Sequence, residues 1–363
     1  MKAAILTEFG RPLSVREIAD PVAGGGEVLV EVMAAGVLPF AQEVFSGHRR
    51  YPLIPPVVPG TGGIGRVIHV GPDATRLRPG DLVWCDFTVR SRDDVLTPDI
   101  ALQGWSARGE GGARLAEYLH DGAFAEMMRV PTENVFVLPA AAERDPARWA
   151  ALNIHLVPYS GLLAGGLAPG ETLLVSGATG NYGSSAVAVA LAMGAGRVIA
   201  PGRNSEVLAL LAERFGSRVR TVQLSGEEER DRETMTQAAD GPVDMVLDLL
   251  PPAAPATAVR AAAMTVREEG RVVLMGGVGM LGGDDLALPY PWLMRNSVTV
   301  RGRWMCSRSA NAGMIRLVET GLLDLAPERV RSFPLAEVNE AIAHAATHGG
   351  AFNRTVLAPA QSA

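Results

Sequence analysis

The chain is poor in cysteine: of 363 residues, only Cys85 and Cys306 are of that type. They stand far apart and in no paired spacing. That excludes a disulfide framework and a cysteine-built zinc site, and it fits a reducing compartment. Positive charge is short as well. Thirty-three Lys and Arg against 39 Asp and Glu leave a net charge of -6, with no basic surplus for a phosphate backbone or an anionic lipid. Neither nucleic acid nor a membrane is an expected partner. The opening MKAAILTEFGRPLSV has no apolar core before Glu8 and Arg11, so no signal peptide is expected and the chain is read as cytoplasmic. The uncharged stretch from Thr172 to Gly196 is long enough to suggest a membrane span. Its Ser176, Thr179, Gly180, Asn181, Gly183, Ser184 and Ser185 argue instead for a buried strand, turn and helix. No internal repeat or low-complexity tail is present.

What the chain does have is a globular composition, 48% hydrophobic and 20% charged. Its length exceeds the size at which one core keeps growing, which predicts two domains. The first part is built of short strand-like runs bounded by Gly or Pro: EVLVEVMAAGV with period-2 alternation, GIGRVIHVG and GDLVWCDF. Between Val89 and Gly122 lies a long polar loop or lobe. From about residue 172 apolar strands alternate with helical stretches. TLLVS, RVIA, TVQL, VDMVLDL, GRVVLMGG and SVTVRGRW are the candidate strands, with helices such as NSEVLALLAERFG between them. Such alternation implies a parallel sheet covered on both faces, with ligands at the carboxyl ends of its strands. The tail carries NAGMIRLVETG and LAEVNEAIAHAATHG as helices and RTVLAP as a last strand.

The run TLLVSGATGNYGSSAVAVALAMGA sets Gly177, Gly180 and Gly183 between an apolar strand and an alanine-rich helix. The first permits a tight turn, the second lets backbone approach a pyrophosphate, and the third packs helix on strand. Ser176, Gly177, Ala178, Thr179, Gly180, Asn181, Tyr182 and Gly183 are therefore the candidate cofactor turn, with the helix N-terminus facing the phosphates. Roughly 20 residues on, an NAD-binding chain carries an acidic residue. Here the strand ends APGRNSE. Arg203, with Asn204 beside it, pairs with a 2'-phosphate where a carboxylate would repel it, and this favours NADPH.

Together, PGTGGIGRVIHVGPDATRLRPGDLVW, AAGV, GATGNYG, VDMVLDLL and GRVVLMGGVG resemble the medium-chain dehydrogenase/reductase superfamily, in its order and over nearly the whole chain. The resemblance implies an α/β protein: a GroES-like β-rich catalytic domain, residues 1–156 completed by 302–363, and a Rossmann doubly wound parallel-sheet domain, 157–301. The active site is expected in the cleft between them, and the strand SVTVRGRW is expected to join two copies as a homodimer. Zinc alcohol dehydrogenases of this kind carry ligands where this chain has Leu38, Thr61, Gly62 and the neighbourhood of Leu156. A catalytic zinc needs three protein ligands, so none is expected; His155 and His48 are read as structural.

What remains resembles the zinc-independent branch of quinone oxidoreductases and enoyl reductases. This implies hydride transfer from NADPH to an activated C=C, a quinone or a related carbonyl on a small hydrophobic substrate. Tyr51 in GHRRYP and Tyr159 in VPYSG are the candidate proton donors, each with packing as an equal alternative. Gly276, Gly277 and Val278 in LMGGVG are expected at the nicotinamide carboxamide, and Asn353 at the cofactor. Leu38, Phe40 and Trp304 would line the pocket, and Arg303 is either a phosphate or substrate contact or a strand-end charge. Two other readings stay open: metal-free alcohol, carbonyl or imine redox chemistry, and an NADPH-binding protein with little catalysis.

Overall fold

The computed structural model describes residues 1–360. The chain forms two compact units. One comprises 1–153, 325–349 and 353–360; the other comprises 154–324 and 350–352. Residues 302–324, which the sequence reading attached to the catalytic domain, thus group with the second unit.

The first unit is organised by the strand Glu27–Val37. Its alternation buries Val28, Val30 and Val32 on one face, the pattern a half-covered sheet requires. It pairs antiparallel with Gly63–Val70, Met127–Pro131 and Asn353–Ala358. Register shifts at Leu29/Val30 and Val32/Ala34 bend it, so that it serves different partners along its length. The sheet runs in the order Val135–Val137, Leu82–Cys85, Gly63–Val70, Glu27–Val37, Asn353–Ala358, Arg329–Pro334.

The segment expected as a long polar loop or lobe has regular structure. Strands Thr88–Arg90, Ile100–Leu102 and Ser106–Arg108 form a small antiparallel sheet, followed by the helix Gly109–Tyr118. Its tip is tied by Asp94, whose carboxylate accepts the N–H groups of Leu96 and Thr97 at 2.9 Å each. The run is too short and too polar for periodicity to reveal it.

In the second unit six strands form one parallel sheet, ordered Val219–Gln223, Arg197–Gly202, Thr172–Ser176, Val243–Asp248, Val266–Leu274, Thr299–Gly302. In chain order this is the doubly wound arrangement, reversing between Thr172–Ser176 and Val243–Asp248. Leu174, Ile199, Val246 and Val272 are fully or almost fully buried, which explains the near-continuous apolar strands. The helix Ser205–Phe215 starts at Asn204, whose side chain caps it, and ends at Gly216. The helix Leu152–Ala164 carries Pro158 inside it, a residue that disguises a helix in the sequence. Among the described residues no helix is long and apolar enough to cross a membrane. Both cysteines are buried, and they form no disulfide.

Candidate functional site

The reversal point of the parallel sheet holds the glycine turn. Gly177 follows Thr172–Ser176 directly and has φ +86°, a conformation that other residues resist. Its carbonyl accepts the Gly180 N–H at 3.0 Å, closing the turn. A side chain at Gly183 would run into that same carbonyl, so the helix Asn181–Ala192 approaches the strand as closely as backbone allows. Gly180 is the residue before the helix, and no side chain caps it. Ser184 and Ser185 turn their hydroxyls back to the Asn181 carbonyl at 3.2 and 3.1 Å. The first helical turn bears no acidic group. An uncapped helix start without negative charge is suited to an anion.

At the end of the neighbouring strand, Arg203 is exposed, and no carboxylate shares the Gly202–Asn204 segment. The Arg203 carbonyl is held by the Gln223 side-chain amide at 3.0 Å, which fixes where its side chain starts. The Asn204 carboxamide, expected as a cofactor contact, accepts the Val207 N–H at 3.1 Å and serves as the helix cap.

On the other side of the reversal point, Val243–Asp248 ends in a buried carboxylate. Burial pushes the Asp248 pKa up to about 6, against hydrogen bonds from the Ser176 hydroxyl and the N–H groups of Leu250 and Gly276. The Gly276–Val278 segment starts here, and the Gly277 N–H reaches the Leu250 carbonyl at 2.8 Å. Sequence reasoning missed Asp248. Its only signal was a second acidic residue at the very end of the strand, after the apolar run Met245–Leu247.

The first unit holds a second constellation. Arg49 lies 4.1 Å over the Phe40 ring and 5.4 Å from the centre of Tyr51. Trp105 meets Phe40, Phe45 and Tyr51 edge-on at 5.8, 5.7 and 6.2 Å. Burial raises the Tyr51 pKa, while the charge and hydrogen bond of Arg49 act against that rise. The phenol therefore stays protonated at neutral pH and is polarised by a cation. Beside it opens a hollow of about 180 Å³ lined by Pro52, Leu53, Leu102 and Trp105, with Glu117 and His120 also on its wall. Trp105 was not legible as a partner of Tyr51, because the insert's position is a long-range property.

Three other expected positions take part in the packing of the fold. The Tyr159 hydroxyl packs on Gly313, in the helix Arg308–Glu319, and burial raises its pKa. Asn353 opens the strand Asn353–Ala358 of the first unit. The Arg303 guanidinium donates to Ser160 Oγ and the Met305 carbonyl, at 3.2 and 2.9 Å.

Residues 24–140 match the family model for an alcohol dehydrogenase GroES-like domain, and residues 183–320 the model for a zinc-binding dehydrogenase. An alcohol dehydrogenase of Rhizobium meliloti is 35% identical over 53% of this chain and 55% of its own, so that match spans about half of either protein. An acryloyl-coenzyme A reductase of Metallosphaera sedula is 28% identical over 88% of this chain and 90% of its own. The solved thermostable alcohol dehydrogenase of Pyrobaculum aerophilum superposes with a TM-score of 0.74, 26% identity and 99% coverage of each chain.

Proposed function

The chain belongs to the medium-chain dehydrogenase/reductase superfamily, and from that premise we propose an NADPH-dependent oxidoreductase without a catalytic metal. It reduces an activated C=C, a quinone or a related carbonyl. The observation that carries this reading is the uncapped, uncharged helix start at the sheet's reversal point, with Arg203 exposed one strand away. The backbone of Gly177–Gly183 would hold a pyrophosphate, Arg203 a 2'-phosphate, and the Gly276–Val278 backbone the nicotinamide carboxamide. A bound nicotinamide dinucleotide supplies the hydride. The chain's own part is to orient it, exclude water and meet the charge that develops on the substrate oxygen.

Tyr51 is assigned that last role. Polarised by Arg49, its phenol donates a hydrogen bond and then a proton. Tyr159 is assigned to packing, since its hydroxyl faces Gly313.

The donor set does not fit a catalytic zinc ion. At the positions where related enzymes hold their ligands, Leu38 is a buried hydrocarbon and the Thr61 hydroxyl accepts Asn153 Nδ2 at 2.7 Å. Cys85 is fully buried, and burial drives its thiol pKa far up, away from the thiolate that zinc requires. We also assign the outer strand Thr299–Gly302, exposed along its whole length, as the edge that joins two copies into a homodimer.

The acryloyl-coenzyme A reductase relative supports the C=C substrate class, and the alcohol dehydrogenase relatives support alcohol or carbonyl redox as the second reading. The test is NADPH and NADH oxidation with a panel of enones, quinones, aldehydes and cyclic imines, after exhaustive chelation. Chelator-resistant turnover of an enone or quinone with NADPH is expected. Abolition by the chelator and recovery with zinc would overturn the metal-free assignment. Tight NADPH binding without turnover on any substrate would leave a binding protein.

A further inference from the structure

Asp248 is not explained by stability. Burying a carboxylate costs more than its hydrogen bonds return unless every lone pair finds a donor, and Asp248 Oδ1 is buried without a partner. An uncharged side chain at the end of that strand would be less costly. Yet its three donors come from three separate segments: Ser176, the residue before Gly177; Leu250, in the turn after its own strand; and Gly276, at the end of the next strand. Those segments cross-link further. The Leu249 N–H reaches the Ser176 carbonyl at 3.0 Å, and the Gly277 N–H reaches that of Leu250 at 2.8 Å. A side chain at Gly276 would collide with Asp248 Oδ2 and with the Leu250 carbonyl, so the segment is drawn onto the carboxylate as closely as backbone permits.

We propose that Asp248 is a positioning residue of the dinucleotide site, its carboxylate tying the glycine turn and the Gly276–Val278 segment into one frame. The inference rests on the preceding reading of that site. It has a physical consequence. The frame depends on an anionic acceptor, because hydrogen bonds to a carboxylate are stronger than those to its neutral acid or an amide. Ser176, Leu250 and Gly276, which donate to the carboxylate, and Leu274, paired beside it in the sheet, carry no charge, and no charged group shifts it. Its protonation state is therefore set by burial and by its donors, and it changes within reach of neutral pH. Nucleotide affinity should weaken as the solution is acidified, with no change in any group that touches the nucleotide.

The experiment is titration of the full chain and of Asp248→Asn with NADPH and with NADH, from pH 8 to pH 5.5, alongside thermal melts. The 2'-phosphate of NADPH titrates in this range too, identically for both proteins. The readout is therefore the difference between them, checked with NADH. At pH 7.5 Asp248→Asn should bind about tenfold more weakly while melting no lower than the wild type. The wild-type dissociation constant should rise several-fold toward pH 5.5, and that of the variant should stay flat with NADH. Ser176→Ala, which removes one donor and leaves the carboxylate, should show a smaller loss and keep the pH dependence. That arm decides the matter if Asp248→Asn does not fold. Equal affinity and equal pH dependence in wild type and variants would overturn the inference. So would a loss of affinity matched by a fall in melting temperature. Failure of the wild type to bind either nucleotide would instead overturn the reading of the site itself, and the inference with it.

Discussion

The two constellations differ in how they are built. The glycine turn is local: Ser176 to Gly183 are consecutive residues, and their geometry follows from one strand, one φ of +86° and one helix start. The Tyr51 cluster is assembled from distance, with Phe40, Phe45, Arg49 and Tyr51 from one stretch and Trp105 from an insert some fifty residues on. A local site is specified by spacing, whereas a dispersed one is specified by packing. They should therefore fail differently. Mutations in the turn should act on ligand affinity with the sheet intact, and mutations in the cluster should act on stability first.

The largest expected effect is on the packed side. Trp105 is almost fully buried and touches three rings. Trp105→Ala should cost about 3–5 kcal/mol, read as a shift in the denaturant midpoint. If the sites are separable, nucleotide affinity measured well below that midpoint stays unchanged. A parallel loss of affinity would break the comparison.

Asp248 meets the local turn from a distant strand and carries a stability signature of its own. Its folded-state pKa, about 6, lies above the reference 3.8. The folded protein therefore binds the extra proton between those values. This contribution to stability is fully present below pH 4 and is lost as pH rises through 6, a change of about 3 kcal/mol. Asp248→Asn should remove that slope from a plot of unfolding free energy against pH, without altering the slopes of exposed carboxylates. An unchanged profile would mean that the carboxylate is hydrated in solution.

Much of this contrast is visible in how the sequence reads. The six apolar strands of the second unit and the GATGNYG turn are legible because periodicity and glycine spacing are local signals. Asp248 was not, because the second of two acidic residues in VDMVLDLL says nothing until strand pairing puts Ser176 across from it. Leu38 and Thr61 were legible as departures from a ligand set. The insert was not, since its three-residue strands carry no period. For Tyr159 the sequence left proton donor and packing as equal alternatives; its hydroxyl lies against Gly313, a neighbour 154 positions away that only the fold brings to it.

Two smaller effects address chemistry. Tyr51→Phe keeps the ring in the cluster and removes the donor, so kcat should fall about a hundredfold with little change in KM or melting temperature. A loss confined to KM would assign the phenol to binding. Arg203→Ala should weaken NADPH by about tenfold or more while leaving NADH within a factor of two. Equal losses for both would mean that Arg203 does not meet the 2'-phosphate.

The smallest expected effect separates two roles at neighbouring atoms. Asn204 was expected at the cofactor, and its carboxamide oxygen instead accepts the Val207 N–H as a helix cap. Asn204→Ala should cost about 1 kcal/mol of stability and leave the affinities for NADPH and NADH unchanged. Asn204→Asp retains the cap, since a carboxylate accepts the same N–H and suits the positive end of the helix. It also places a negative charge next to Arg203, so stability should hold while NADPH weakens relative to NADH. If both variants weaken both nucleotides alike, the carboxamide contacts the cofactor after all. If neither does, the charge at the end of this strand does not select between the two nucleotides.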